Sequence, residues 1–300
     1  MTQAPSAGRG VAFRYEAPTG HETEEAWIDV HRGNAPLLLC FPHGGTQIPP
    51  DIADSFVSPE LARKDADWWI DRLYSFARVL GATTLRTRIS RSVIDVNRDP
   101  SGASLYPGQA TTELCPTTTF DGEPLYVHSP PNDAQIADRH RRWFEPYHAV
   151  VAEELKRLRG AHPHVVLYDA HSIRSRVPRL FEGELPIFSI GTHDGAACSP
   201  ELTTAVEAIC AASDFSHVLN GRFKGGWTTR HYGQPNRGIH AIQIELAMRG
   251  YIPEREEATA TNWPPSFSPE TAACIIPTLR AITETCIQFC RSTKDHHEPR

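Results

Sequence analysis

The chain reads as an α/β protein, a three-layer sandwich whose central, mostly parallel or mixed sheet carries helices on both faces. Three observations predict this. Apolar runs such as APLLLCF (35–41) and PHVVLYDAH (163–171) suit strands buried on both faces. Stretches with helical apolar spacing alternate with them. Apolar residues make up 40 % and charged residues 22 % of the 300, ordinary proportions for a globular chain with a sizeable core.

Taken in order, the strand over 35–41 runs into PHGG, so His43 stands where a buried strand gives way to a turn. Gly44 and Gly45 let the chain turn there and leave room for a ligand. Residues 59–82 predict one helix, with Trp69, Leu73, Phe76 and Leu80 on its buried stripe and Gly81 as its stop. SRSVIDVNR (90–98) reads as a strand. Residues 101–132 form a long loop, and Leu105, Tyr106, Leu114, Phe120, Leu125 and Tyr126 predict that it is ordered and packed on the body. Residues 133–161 predict a helix with a stripe of Trp143, Tyr147, Val150, Val151, Leu155 and Leu158, kinked or restarted at Pro146. The strand over 163–171 ends on His171. A second irregular region, 220–240, leads into AIQIELA (241–247), whose alternation puts Gln243 and Glu245 on one face.

A net charge of −6 and the lack of a Lys/Arg run argue against nucleic-acid binding. No stretch reaches the ~18 apolar residues of a membrane span, and no leader is seen, so the cytoplasm is expected. Seven scattered cysteines without a C-x-x-C pair fit a reducing compartment. Cys40, Cys286 and Cys290 read as small buried hydrophobes. Elbow, P-loop and dinucleotide motifs are absent, which removes serine α/β-hydrolase, P-loop and Rossmann chemistry.

What remains is a pair of histidines at strand ends. Ligands of open α/β sheets bind beyond the carboxyl ends of the strands, so His43 and His171 would face one crevice and hold a metal. Taken singly, each of the fifteen histidines also reads as a hydrogen-bonded core or surface residue. A third ligand should be a carboxylate or another histidine. Asp67 is the candidate, because Asp65 and Asp67 lie about 200° apart around a helix and only one can face the site. Asp71, Asp95 and Glu245 compete with it, and Asp169 reads better as a group orienting an imidazole. Glu245, a carboxylate in an apolar strand, is expected to be the general base and acid. Arg91, Arg98, Arg174, Arg222 and Arg230, with Asn97 and Lys224, would grip a substrate rich in carboxylates. Arg98 would either take a carboxylate or polarise the scissile carbonyl.

The strings PHGGTQIPP, SRSVIDVNRDP, SLYPGQATTELCPTTTFDGEPLY, YDAHSIRSRVPRLFEGELP, NGRFKGGWTTRHYGQP and IQIELA resemble the N-formylglutamate amidohydrolase, or deformylase, family over roughly residues 35–252. The resemblance implies one domain spanning 1–300, with flexible ends at 1–10 and 292–300, and a fold similar to the zinc carboxypeptidases. It implies hydrolysis of N-formyl-L-glutamate to L-glutamate and formate in histidine degradation. Thr46 stands where a carboxypeptidase would carry a glutamate three residues after its histidine, so the acidic ligand must come from elsewhere. One divalent ion is expected, zinc first, with cobalt, manganese or iron suited to the same donors. It would lower the pKa of a water toward ~7. The alternatives are a related metallo-amidohydrolase for another N-acyl amino acid or small peptide, and a non-catalytic protein that binds acidic metabolites.

Overall fold

The run LLLCF becomes a strand buried along its whole length, because Leu37, Leu39 and Phe41 enter one hydrophobic core while Leu38 and Cys40 enter a second on the opposite face. This is the signature of a sheet covered on both sides. The structure, a computed structural model, describes residues 26–255, 257–259 and 261–292, with the backbone of 13 and 14. Its strands are β1 (Phe13–Arg14), β2 (Ile28–His31), β3 (Leu37–Phe41), β4 (Thr83–Thr87), β5 (Val165–Ile173), β6 (Phe188–Gly191), β7 (His217–Leu219) and β8 (Ile239–Ala247). Its helices are α1 (Pro50–Ala53), α2 (Pro59–Arg63), α3 (Ile70–Leu73), α4 (Asp133–Arg139), α5 (Glu145–Ala161), α6 (Pro200–Ala211), α7 (Trp227–Tyr232) and α8 (Pro269–Ser292).

The sheet runs β1-β2-β4-β3-β5-β8-β6-β7. β4, β3, β5 and β8 are mutually parallel, and β2 and β6 flank them antiparallel, so the sheet is mixed. One core packs α6 and α8 on the sheet through Leu202, Val206, Ile275, Leu279 and Ile282. The other packs α5 through Tyr147, Val150, Val151, Leu155 and Leu158, the predicted stripe. Cys286 and Cys290 are buried on α8, and burial pushes the Cys40 thiol well above its ordinary range, as expected of core cysteines.

The restart at Pro146 takes a definite form. A π-helical turn over His140–Phe144 separates α4 from α5, and Pro146 sits in the first turn of α5, where its missing N–H costs nothing. The loop over 101–132 carries neither helix nor strand and buries Tyr106, Phe120, Leu125 and Tyr126, while Leu105 and Leu114 are half-buried.

Two expectations are corrected. Residues 59–82 do not form one helix: α2 and α3 are short, and Trp69 between them adopts φ 65°, a left-handed conformation rare for a bulky residue. The backbone N–H of Asp67 is spent on the carbonyl of His43 at 2.9 Å, and its carboxylate on β5, so no continuous helical ladder can pass through it. SRSVIDVNR is not a strand. Its polar groups are satisfied locally and by side chains: Asn97 N–H on Asp95 Oδ1, Val93 O on Arg139, Val96 O on His148. The strand of this region is β4, which the sequence reading passed over. Of the expected flexible ends, only Ser292 lies within the described residues, where it closes α8.

Candidate active site

Because β3, β5 and β8 are adjacent and parallel, their carboxyl ends open at one edge of the sheet. His171 of β5 pairs in register with Glu245 of β8, and His43 follows β3 by two residues. The rings of His43 and His171 come within 4.8 Å, centroid to centroid. The close turn after His43 depends on Gly45, where a Cβ would lie 2.3 Å from the Ile89 carbonyl oxygen. The space that Gly45 clears is thus taken by the neighbouring chain, and the expectation that it makes room for a ligand is corrected.

Asp67 joins the two imidazoles. Its Oδ2 lies 3.2 Å from His171 Nδ1 and 3.9 Å from His43 Nδ1, and it accepts the Ser172 N–H at 3.1 Å. One donor atom from each of His43, Asp67 and His171 falls within 4.8 Å of the others, and all three residues are buried. His43 Nδ1 and Asp67 Oδ1 have no hydrogen-bond partner. Buried polar atoms left unpaired are costly, and here two converge with a third donor on one point, so the residues present fit a cation. Asp71, the helical rival to Asp67, is bound to Arg86 instead.

A second layer sets the imidazole tautomers. Asp95, fully buried, accepts His43 Nε2–H at 2.7 Å, which leaves Nδ1 with its lone pair toward Asp67. Burial alone would raise the Asp95 pKa, but His43, Arg91 and Arg98 outweigh it and hold the carboxyl well below its usual range. His171 Nε2 lies 3.1 Å from Asp169 Oδ2 and 2.9 Å from Asn97 Nδ2. Desolvation pulls the His171 pKa down, and the Asp169 and Asp67 carboxylates overcome it and raise the pKa well above 6.5.

Glu245 stands against this cluster in the opposite condition. Desolvation, reinforced by Asp67, lifts its pKa to about 8 despite His171 and Arg91. Its Oε2 accepts from Gln243 Nε2 at 3.3 Å, and Gln243 Oε1 takes the Gly226 N–H at 2.7 Å. A carboxyl with a raised pKa beside a deeply ionised one is the environment pattern of acid–base pairs.

His43, His171, Gln243 and Glu245 line a cavity of ≈ 60 Å³ together with Arg91, Asn97, Arg98, Arg222, Tyr106, Thr112 and Phe120. Arg91 is bound to Asp95 at 2.7 Å and lies 3.7 Å from Asp67. Arg98 reaches Thr112 at 2.9 Å and Asp95 at 3.4 Å. Asn97 bridges Asp169, His171 and the Thr228 N–H. Three expected substrate ligands stand outside the cavity lining. Arg174 is drawn off by Asp121 at 2.8 Å and Asp65 at 3.5 Å, Lys224 by Asp194 at 3.1 Å, and Arg230 lies behind Tyr106, its Nε on the Gly225 carbonyl. Sequence reasoning missed Gln243, Tyr106 and the imidazole-orienting part of Asp95. Only Gln243 left a signal, the strand alternation that sets it beside Glu245.

Residues 35–252 match the sequence profile of the N-formylglutamate amidohydrolase family. An N-formylglutamate deformylase of Pseudomonas aeruginosa is 48 % identical over 230 residues, 76 % of this chain and 86 % of that one. Its counterpart from Pseudomonas putida is 45 % identical over 237 residues, 77 % of this chain and 87 % of that one. The crystal structure of N-formylglutamate amidohydrolase from Ralstonia eutropha JMP134 has the same fold, with a TM-score of 0.71 at 22 % identity over 89 % of this chain and 98 % of that one. With most of its length matched by the profile and by relatives near half identity, this chain belongs to the N-formylglutamate amidohydrolase family.

Proposed function

We propose that this chain is a single-domain, cytoplasmic, metal-dependent amidohydrolase that cleaves N-formyl-L-glutamate to L-glutamate and formate. The observation that carries the reading is the buried convergence of His43, Asp67 and His171, two of them with an unpartnered donor, beside Glu245. The activity named for the relatives at 48 % and 45 % identity supports the substrate. His43 Nδ1, Asp67 and His171 Nδ1 would hold the ion, zinc by the N/O donor set, with cobalt, manganese and iron as substitutes. When bound, that ion supplies Lewis acidity and a hydroxide nucleophile at neutral pH.

The remaining work falls to the chain. Glu245, on the strand next to His171, takes the proton of the attacking water and returns it to the departing amine nitrogen. Arg98, steadied by Thr112 and Asp95, offers its guanidinium to the developing oxyanion or the nearer carboxylate of the substrate. Arg91 and Asn97 hold Asp95, Asp169 and His171 in place while they face the cavity.

The test is formate release from N-formylglutamate by the purified chain, with metal analysis before and after chelation and zinc return. Activity lost on chelation and restored by zinc is expected. Turnover by metal-free protein, or preference for N-acetyl- or N-succinyl-glutamate, would overturn the reading.

A further inference from the structure

The three arginines of the cavity differ in what neutralises them. Arg91 is paired with Asp95 and approaches Asp67, and Arg98 shares Asp95. Arg222 has no carboxylate within ion-pair reach among the described residues. Its Nε donates to the Leu180 carbonyl and its Nη2 to the Ala110 carbonyl, both at 2.9 Å, and its buried Nη1 has no partner at all. Burial lowers its pKa, as expected of a cation without a counter-ion. The side chain is half-buried, with Nη1 as its buried unpartnered nitrogen, and leaving such a group unpaired is tolerated where a ligand supplies the missing anion.

Two aromatic rings flank the Arg222 guanidinium. Its Cζ lies 5.3 Å from the ring centroid of Tyr106 and 5.3 Å from that of Phe223, and the Arg230 Cζ lies 5.0 Å from the same Tyr106 ring. The Tyr106 hydroxyl donates to the Gly225 carbonyl at 3.1 Å and accepts the Lys224 N–H at 3.2 Å, which ties the 101–112 loop to the 220–226 segment. The two arms of the cavity therefore differ. Arg98 is joined to a metal-binding histidine through Asp95, whereas Arg222 hangs from main-chain carbonyls of segments that contribute no candidate ligand.

We infer that Arg222 is the specificity-determining residue that reads the second, distal carboxylate of the substrate, and that Tyr106 is a positioning residue restricting the orientation of its guanidinium. The inference rests on the amidohydrolase reading above and names what that reading leaves open, the group that makes the enzyme prefer an acidic amino acid. Arg98 serves the carboxylate nearer the scissile bond, and Arg222 the one at the end of the side chain.

The test compares kcat/KM for N-formylglutamate and N-formylglutamine, whose distal groups have nearly the same shape but are a charged carboxylate and a neutral carboxamide. The wild type is expected to favour N-formylglutamate by roughly 10- to 100-fold, the value of a charge-assisted contact in a dry site. In Arg222→Gln the preference should vanish through a loss on N-formylglutamate alone, and retained N-formylglutamine turnover shows that the site is folded. Should that variant turn over neither compound, Arg222→Lys carries the test, with a smaller preference expected for glutamate and an unchanged ratio overturning the proposal. Tyr106→Leu should raise KM for N-formylglutamate with kcat held, and Tyr106→Phe, which keeps the ring, should restore it. Equal losses on both substrates in Arg222→Gln, or an unaltered preference, would overturn the inference. A wild type that hydrolyses both compounds equally also overturns it while leaving the amidohydrolase reading intact, and one that hydrolyses neither sinks that reading itself.

Discussion

The two walls of the cavity are built by different means. One comes from strand ends: His171 and Glu245 are in register on adjacent parallel strands, and His43 follows the next strand over. The other comes from irregular chain, where Tyr106, Arg222 and Gly226 are fixed by hydrogen bonds between side chain and main chain and Thr112 accepts from the Arg98 side chain. The strand-end wall gathers opposite charges that neutralise one another around Asp95 and Asp67, and the loop wall presents Arg222 unpaired. Strand ends fix the spacing of His43, His171 and Glu245, irregular chain brings Asp67 and Asp95 to them, and the loop wall leaves Arg222 without a counter-ion among the described residues.

Substitutions on the strand-end side separate the two walls most sharply. Asp67→Ala removes the carboxylate between the imidazoles, so formate release is expected to fall to background and the ion to be lost; a variant that keeps both breaks the division. Glu245→Gln should lower kcat by roughly 10²–10⁴-fold while the ion stays bound. A fall of less than tenfold would remove Glu245 as the proton carrier. Asp95→Asn frees the His43 tautomer, and a weakening of metal affinity by about 10–100-fold is expected from competition with a chelator of known strength.

Residues outside the two walls give smaller effects. His148 donates Nε2–H to the Val96 carbonyl and so props the segment between Asp95 and Asn97. Burial pushes its pKa to about 4, and burial with His164 does the same to His240. Unfolded, both titrate near 6.5. Between those values the unfolded chain takes up protons that the folded chain refuses, so this stability is full above pH ~6.5 and lost as pH falls toward 4. Melting temperature recorded from pH 7 to pH 4 should show that loss, and His148→Gln should shallow it; an unchanged slope contradicts the assignment. Lys224→Ala should alter KM by less than about twofold, since Lys224 is half-exposed and paired with Asp194 outside the cavity.

The same contrast explains how much could be read from the sequence. His43, His171 and Glu245 were legible because strand periodicity and the end of a parallel strand have local signatures. Helical spacing points to Asp67 for the wrong reason; it is brought to the imidazoles by a backbone hydrogen bond to His43 and the left-handed turn at Trp69, neither of which leaves a periodic trace. SRSVIDVNR has the apolar pattern of a strand in Val93, Ile94 and Val96, yet its backbone is bonded by the Asp95 side chain and by partners outside the segment, Leu114, Arg139, His148 and Trp227. The arginines could be counted but not sorted. Which of them are neutralised depends on Asp95 and Asp121, contacts that cross 3 to 53 positions of chain.

The central claim is that His43, Asp67 and His171 together hold one divalent ion. Its most direct test is a zinc titration followed by calorimetry on the wild type, Glu245→Gln and Asp67→Ala. One tight site per chain in the first two and none in the third is the predicted result. A tight site that survives Asp67→Ala, or a wild type that binds no zinc, cobalt, manganese or iron, would contradict it.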